Sequence, residues 1–313
     1  MATGNKMDIW FFPGWYPDRY DSMYGLFVRR HAEAVSLTHN VIVLYASGIS
    51  DDRSDFGITS SSVNGITEII CYYNKSEGPL KSVINPLRYL KAQIKLLRYS
   101  KKRFSLPAVC HVHVLTRAAV IPLYLSCFKG IPYVITEHWS RYLPENIRKG
   151  SYNGMIRRWF TSLVARKASA ITAVTQNLAD AMQNAGLKNQ NYIIVPNVAD
   201  PALFKPVELN STPNKNDPFK MVHVSCFDEK AKNVKGIIDA ISELRKERND
   251  FKLFIVGDGE DHDMVLDHFH SLSIPEGTIE FTGLMEGQPL ADMMATADLF
   301  VMFSNYENLP CTI

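Results

Sequence analysis

The chain has 313 residues, a length that suggests two domains, and 46% hydrophobic residues can supply two cores, so the composition argues against a disordered protein. Five cysteines, odd in number and widely spaced, argue against a disulfide scaffold and show no zinc pattern; they read as reduced core or site-lining residues of a cytosolic protein. The net charge of +2 hides an asymmetry, since residues 1–200 carry 24 Lys and Arg against 13 Asp and Glu while residues 201–313 carry 10 against 19.

Apolar runs of strand length alternate with longer amphipathic stretches, the pattern of βαβ units and parallel sheets. In the first half the expected strands are 9–12, 41–45, 67–73, 109–115, 133–136, 170–174 and 193–195, with helices at 25–37, 83–102, 118–127, 155–167 and 177–185. Pro, Asn and Ser then dominate 200–218, which reads as a linker. A second set follows, with strands at 221–225, 252–256, 279–282 and a buried strand at 298–303, and helices at 235–247, 262–271 and 289–297. The expected fold class is α/β: two Rossmann-like domains, 1–198 and 219–313 joined by 199–218, facing across a cleft that holds the site, with the second domain incomplete.

Met1 to Asp8 lacks the apolar region of a signal peptide, and no run approaches the roughly 18 apolar residues that span a bilayer. A cytoplasmic protein is expected. Its positive charge clusters at 91–103, 141–149 and 157–167, which suits an anionic membrane surface or a phosphate-bearing acceptor, although solvated helix faces give the same pattern.

Six places could carry chemistry. Gly25 opens the first helix, where unsatisfied amides and the helix dipole attract an anion; as an ordinary turn residue it would need no ligand. The loop is neither GxGxxG nor GxxxxGK[ST], which counts against a dinucleotide oxidoreductase or a P-loop kinase. Glu137, His138 and Trp139 follow a strand directly, so His138 is either a ligand-facing residue or a packing one. His111 and His113 share one strand face and read as packing residues. In the second half, Ser225 to Gly236 links a strand to a helix; Lys232 or Lys235 could neutralise a diphosphate while Gly236 permits close packing. Val256-Gly-Asp-Gly259 reads as a tight turn. Asp261-His-Asp263 has the spacing of a metal-binding DxD, yet sits where acids cap a helix, and His262, His268 and His270 lack ligand spacing, so no metal site is expected.

Taken together, the residues resemble retaining nucleotide-sugar glycosyltransferases of family 4, which have the GT-B fold. The likeness runs through the Gly-containing first loop to Phe27-Val-Arg-Arg-His-Ala-Glu33, Thr136-Glu-His138, Val195-Pro-Asn197 with Phe204-Lys-Pro206, Lys235-Gly236, Val256-Gly-Asp-Gly259 and Ser304-Asn-Tyr-Glu307-Asn-Leu-Pro310. It implies a hexosyl transfer from a nucleotide diphosphate sugar, with no cofactor and no required metal, to a glycan or lipid-linked acceptor in surface polysaccharide synthesis. In that family Glu307 would open a Glu-x7-Glu motif and lie against the donor sugar, while the amides of Asn308 and Leu309 contact the donor. His138 would join Glu307 as a catalytic residue. The second Glu would fall two positions beyond Ile313, so the chain reads as C-terminally truncated and inactive as it stands. Where the family often has Arg, this chain has Ser225-Cys226-Phe227, and the diphosphate rests more heavily on Lys232 or Lys235. A sugar-nucleotide epimerase of the same fold and a non-catalytic sugar-nucleotide-binding fragment are the competing expectations. No nucleic-acid partner is expected; an anionic membrane at the inner face of the cell membrane is.

Overall fold

The structure, a computed structural model, describes residues 6–50, 56–115, 117–148, 154–206 and 217–310. The chain forms two compact units, Met1–Val198 and Ala199–Ile313.

The first unit carries β1 (Asp8–Pro13), α1 (Leu26–Ser36), β2 (Asn40–Ile49), β3 (Ile58–Val63), β4 (Ile66–Asn74), α2 (Lys81–Lys101), β5 (Val109–His113), α3 (Val120–Lys129), β6 (Tyr133–Glu137), α4 (Pro144–Arg148), α5 (Met155–Lys167), β7 (Ala170–Ala173), α6 (Gln176–Asn184) and β8 (Tyr192–Ile194). Its eight strands are ordered β3-β4-β2-β1-β5-β6-β7-β8, all parallel except β3. The inner strands are buried on both faces, which explains their unbroken apolar runs: Trp10, Phe11, Val43, Leu44, Val112 and Ile135 are all inaccessible. Val28 and Ala32, one turn apart on α1, close one face over Phe11, Val43 and Ile70.

The β3–β4 hairpin was not expected. Asn64 (φ 48°) and Gly65 (φ 80°) turn the chain in two residues, with Val63 opposite Ile66. The Asn-Gly pair is the signal for such a turn. Ser60, Ser61 and Ser62 conceal it, because this edge strand is largely exposed and shows no apolar alternation.

The second unit carries β9 (Phe219–Val224), α7 (Glu229–Lys232), α8 (Val234–Glu247), β10 (Phe251–Val256), α9 (His262–Ser271), β11 (Ile279–Gly283), α10 (Gly287–Ala295) and β12 (Leu299–Phe300) in a parallel sheet ordered β11-β10-β9-β12. Val234, Ile237, Ile238 and Ile241 recur at helical spacing on α8 and pack on Met221, Leu253 and Ile255. The buried strand expected at 298–303 is corrected here. Only Leu299 and Phe300 pair, at the sheet edge, with Leu299 47% and Phe303 59% exposed. An apolar run says that a segment tolerates burial, while its place in the strand order decides whether it receives it.

Candidate active site

In both sheets the chain runs outward from the first strand in one direction and later returns to its other side. β1 lies between β2 and β5, and β9 between β10 and β12. Such reversals open a crevice outside the carboxyl ends of the strands, the place where open α/β sheets bind ligands. The sequence-predicted residues gather at these two reversals.

In the first unit, the turn after β1 is held to the end of β5 by Gly14, whose amide donates to the His113 carbonyl at 2.7 Å. Gly25 has φ 73°, and a Cβ there would meet the Trp15 carbonyl carbon at 2.5 Å. The close approach that this glycine permits is thus to the chain's own Trp15–Tyr16 backbone. Beyond β6, the Glu137 carboxylate is wholly buried and accepts from the amides of His138 and Trp139, both at 2.9 Å, and of Leu115 at 3.0 Å. Burial pushes its carboxyl up from the usual range, against the pull of Arg141 and those three amides. Glu137 therefore shapes the loop that presents His138.

His138 is partly buried and has both ring nitrogens engaged, Nε2 with His113 Nδ1 at 3.0 Å and Nδ1 with Asn197 Oδ1 at 3.2 Å. His31 packs against both rings, with centroids 5.4 Å from His113 and 5.2 Å from His138, and the His111 ring lies 4.1 Å from that of His113. Burial lowers the pKa of all four, His111 to about 3. At neutral pH the cluster is uncharged. The packing role expected of His111 and His113 is thus performed inside a histidine cluster, in which His31 and Asn197 were not foreseen. His31 sits on a helix and Asn197 in a loop, and no spacing in the sequence announces that they meet.

In the second unit the loop after β9 and the loop after β12 are laced together. Lys232 Nζ lies 2.5 Å from Glu307 Oε1, with both side chains about four-fifths buried. Asn305 donates from its backbone to the Ala231 carbonyl at 2.8 Å and from its side chain to that of Lys230 at 3.1 Å. His223, inaccessible on β9, donates from Nδ1 to the Val301 carbonyl at 2.9 Å and accepts from Ser225 Oγ at 2.7 Å. Burial lowers its pKa and keeps it neutral.

Of the two candidate lysines, Lys232 is committed to Glu307, whereas Lys235 has no ion-pair partner among the described residues. The Lys235 amide, in the first turn of α8, donates to the Glu229 carboxylate at 3.1 and 3.3 Å. A negative group thus already sits on these helix amides. Gly236 leaves room for the Asn233 side chain, which a Cβ would meet at 2.6 Å. Asn308 and Leu309 follow Glu307 directly in the same loop. The Val256–Gly259 turn is explained by packing: a Cβ on Gly257 (φ 145°) would lie 1.9 Å from the Ser225 carbonyl oxygen, and one on Gly259 2.6 Å from the Phe227 nitrogen. Asp261 occupies the N-cap position of α9 and Asp263 its first turn, as expected, but the Asp261 carboxylate makes no cap hydrogen bond there and instead accepts from the Glu229 amide at 2.8 Å, across to α7. Among the described residues no group of three or more His, Cys, Asp or Glu is placed to hold a metal ion.

Residues 28–203 match the profile of the family described as Glycosyltransferase Family 4, and residues 205–313 that of Glycosyl transferases group 1. Among solved structures, sucrose-phosphate synthase from Thermosynechococcus elongatus gives a TM-score of 0.68 at 13% identity, over 98% of this chain and 77% of that one. Anabaena HepE in complex with UDP and glucose gives 0.63 at 15% identity, over 96% and 76%. The E. coli trehalose-6-phosphate structure bound with UDP-2-fluoro glucose gives 0.62 at 9% identity, over 97% and 79%. No curated protein matches the chain in sequence. Likeness at these identities is likeness of fold, the α/β GT-B fold. Because the first profile alone spans more than half of its residues, the chain belongs to the glycosyltransferase family that these profiles describe.

Proposed function

We propose that the protein is a retaining hexosyltransferase of family 4 that moves a sugar from a nucleoside diphosphate donor to a glycan or lipid-linked acceptor in surface polysaccharide synthesis. The observation that carries this reading is the Lys232–Glu307 pair at the strand-order reversal of the second sheet, with the uncommitted Lys235 beside it. Charge grows on the departing diphosphate in the transition state, and a fixed cation at a helix N-terminus stabilises it without reorganisation. Lys235 and the first amides of α8 supply that charge in this reading, and no metal is assigned to the step. Glu307, held by Lys232, lies against the donor sugar, with the amides of Asn308 and Leu309 beside it. His138 acts as the catalytic residue of the first unit in this reading, exchanging one of its two ring contacts for the ligand. Gly25 opens a second anion-attracting helix end.

Two of the solved neighbours named above were determined with UDP and glucose or with UDP-2-fluoro glucose, which makes UDP-glucose the first donor to try. In this reading the protein works in the cytoplasm, peripheral at the inner face of the cell membrane. Support comes from α5, where Met155, Ile156 and Trp159 are 87%, 82% and 66% exposed beside Arg157, Arg166 and Lys167. No helix among the described residues is long and apolar enough to cross a membrane.

The deciding experiment is a panel of UDP- and GDP-sugars with a mixed glycan acceptor, with and without chelator, read by nucleotide release and by the anomeric configuration of the product. Chelator-insensitive release with retained configuration is expected. Inversion would reject the retaining assignment, and sugar interconversion without acceptor would show an epimerase.

A further inference from the structure

The first unit holds a second concavity that the donor chemistry does not use. It measures about 270 Å³ and lies over the carboxyl ends of β1, β2 and β4. Drug-sized ligands fill roughly 300–1,000 Å³, so this cavity has room for a sugar ring and its substituent rather than a nucleotide. Its walls are aromatic. Tyr45 and Tyr73 are 6% and 2% exposed, and neither hydroxyl has a hydrogen-bond partner among the described residues. Two hydroxyls carried on buried rings, open to a cavity and without a protein partner among the described residues, can donate to a ligand there. Burial raises both pKa values, so each proton stays in place to be donated. The Tyr89 ring lies 6.2 Å from that of Tyr73, edge to face, with the Arg117 guanidinium 4.7 Å above it. At Gly48 a Cβ would meet the Tyr73 ring and Lys75 Cε, both at 2.8 Å, so the glycine keeps that wall open.

Two acids and two bases line the cavity, and they differ in what already holds them. Asp18 and Asp21 line it, but their carboxylates are occupied by the loop: Asp18 accepts from Ser47 Oγ at 2.5 Å and from the amides of Tyr20 and Asp21, and Asp21 from those of Met23 and Tyr24. Lys75 and Arg117, both exposed, have no carboxylate partner among the described residues. A ligand entering meets two uncommitted cations and two uncommitted hydroxyl donors, the complement of an anionic group.

We propose that this cavity is an acceptor subsite that holds a sugar bearing a carboxylate or phosphate, with Lys75 and Arg117 on the anion and the tyrosines around the ring. This rests on the glycosyltransferase reading above and adds the acceptor's chemistry to it. β2 is three strand steps from β6, whose end presents His138. At about 4.8 Å per step that is roughly 14 Å, farther than one sugar ring spans. The acceptor accordingly extends beyond its reacting residue, with the charged sugar set back from the end that grows.

Titration calorimetry on the full chain tests this with glucose, glucuronate, glucose 6-phosphate and inorganic phosphate as probes. Glucuronate or glucose 6-phosphate is expected to bind at least about tenfold more tightly than glucose, and the tighter of the two identifies the anion. Arg117→Gln and Lys75→Gln should each remove most of that preference while leaving UDP affinity unchanged, and Tyr73→Phe should weaken both charged sugars several-fold. Because the two cations are exposed and lie on different segments, a folding defect in one variant leaves the other to decide. Equal binding of glucose, inorganic phosphate binding as tightly as glucose 6-phosphate, or charged-sugar affinity unchanged in both cation variants would each overturn the proposal. With UDP binding intact, any of these leaves the donor reading standing; loss of UDP binding in the unaltered chain would remove the donor reading instead.

Discussion

Lys232 and Glu307, 75 residues apart, meet at 2.5 Å and join the loop after β9 to the loop after β12. One carboxylate and one ammonium, each about four-fifths buried, hold one another in place and leave Lys235 as the neighbouring cation. This pair fixes the order in which the site should fail. Lys232→Met should leave the largely buried Glu307 carboxylate without its cation and destabilise the second unit by about 1–3 kcal/mol, between the values for exposed and buried pairs. Glu307→Gln should lower transfer by at least about a hundredfold while changing UDP affinity little. Thermal unfolding and calorimetry of the two variants separate these outcomes; equal loss of UDP binding in Glu307→Gln would place its carboxylate on the nucleotide instead.

Lys235→Ala should weaken UDP binding by about 1.5–3 kcal/mol, the range for a charge-assisted contact. Glu229→Gln should act in the opposite sense. Its carboxylate sits on the Lys235 amide where a diphosphate oxygen would go, and neutralising it should raise UDP affinity several-fold. Both are measured by calorimetry, and a weaker affinity in Glu229→Gln would show that the carboxylate organises the loop for the ligand.

The four neutral histidines make the first unit acid-sensitive. In His31, His111, His113 and His138 burial sets the folded pKa below the ordinary 6.5, so the unfolded chain takes up protons first as pH falls. Stability should be full above about pH 6.5 and decline below it, in the case of His111 down to about pH 3, at up to about 1.4 kcal/mol per pH unit per histidine. Thermal unfolding as a function of pH should therefore show a falling midpoint from about pH 6.5 downward, less steep in His111→Gln. A slope unchanged by that substitution would assign the effect to other groups.

Gly257→Ala should destabilise the second unit by about 2–4 kcal/mol, since its Cβ would enter the Ser225 carbonyl at a φ that other residues rarely adopt. Differential scanning calorimetry would show a lowered transition for that unit, and an unchanged transition would mean that the Ser225 loop yields freely.

On the membrane side, vesicles with anionic lipid should retain the protein at low salt and release it at high salt. Trp159→Ala and Met155→Asp should weaken retention, because both side chains stand exposed on α5. Retention by neutral vesicles alone would assign the helix face to another contact.

The alternation of strands and helices was legible from periodicity alone, and α5 and α9 have the limits that the pattern predicts. Lys235, Gly236, His138 and Glu307 were singled out for a local reason: each belongs to the segment that leaves the carboxyl end of a strand in an α/β sheet, where ligands bind. The strand order was not legible. Whether the run at 298–303 becomes a buried strand or an exposed edge depends on which side of β9 it joins, a choice made by crossovers and not by its own residues. The same holds for the partners. A lysine in sequence is a solvated charge or a ligand, and only the return of the chain to β9 supplied Lys232 with Glu307 and left Lys235 without an ion pair among the described residues. Likewise His31, from a helix, and Asn197, from a loop, reach His138 because two βα crossovers deliver them to one end of the sheet. Periodicity is set within a few residues of chain and can be read there, whereas burial, pKa and pairing are set by neighbours that sequence distance does not predict.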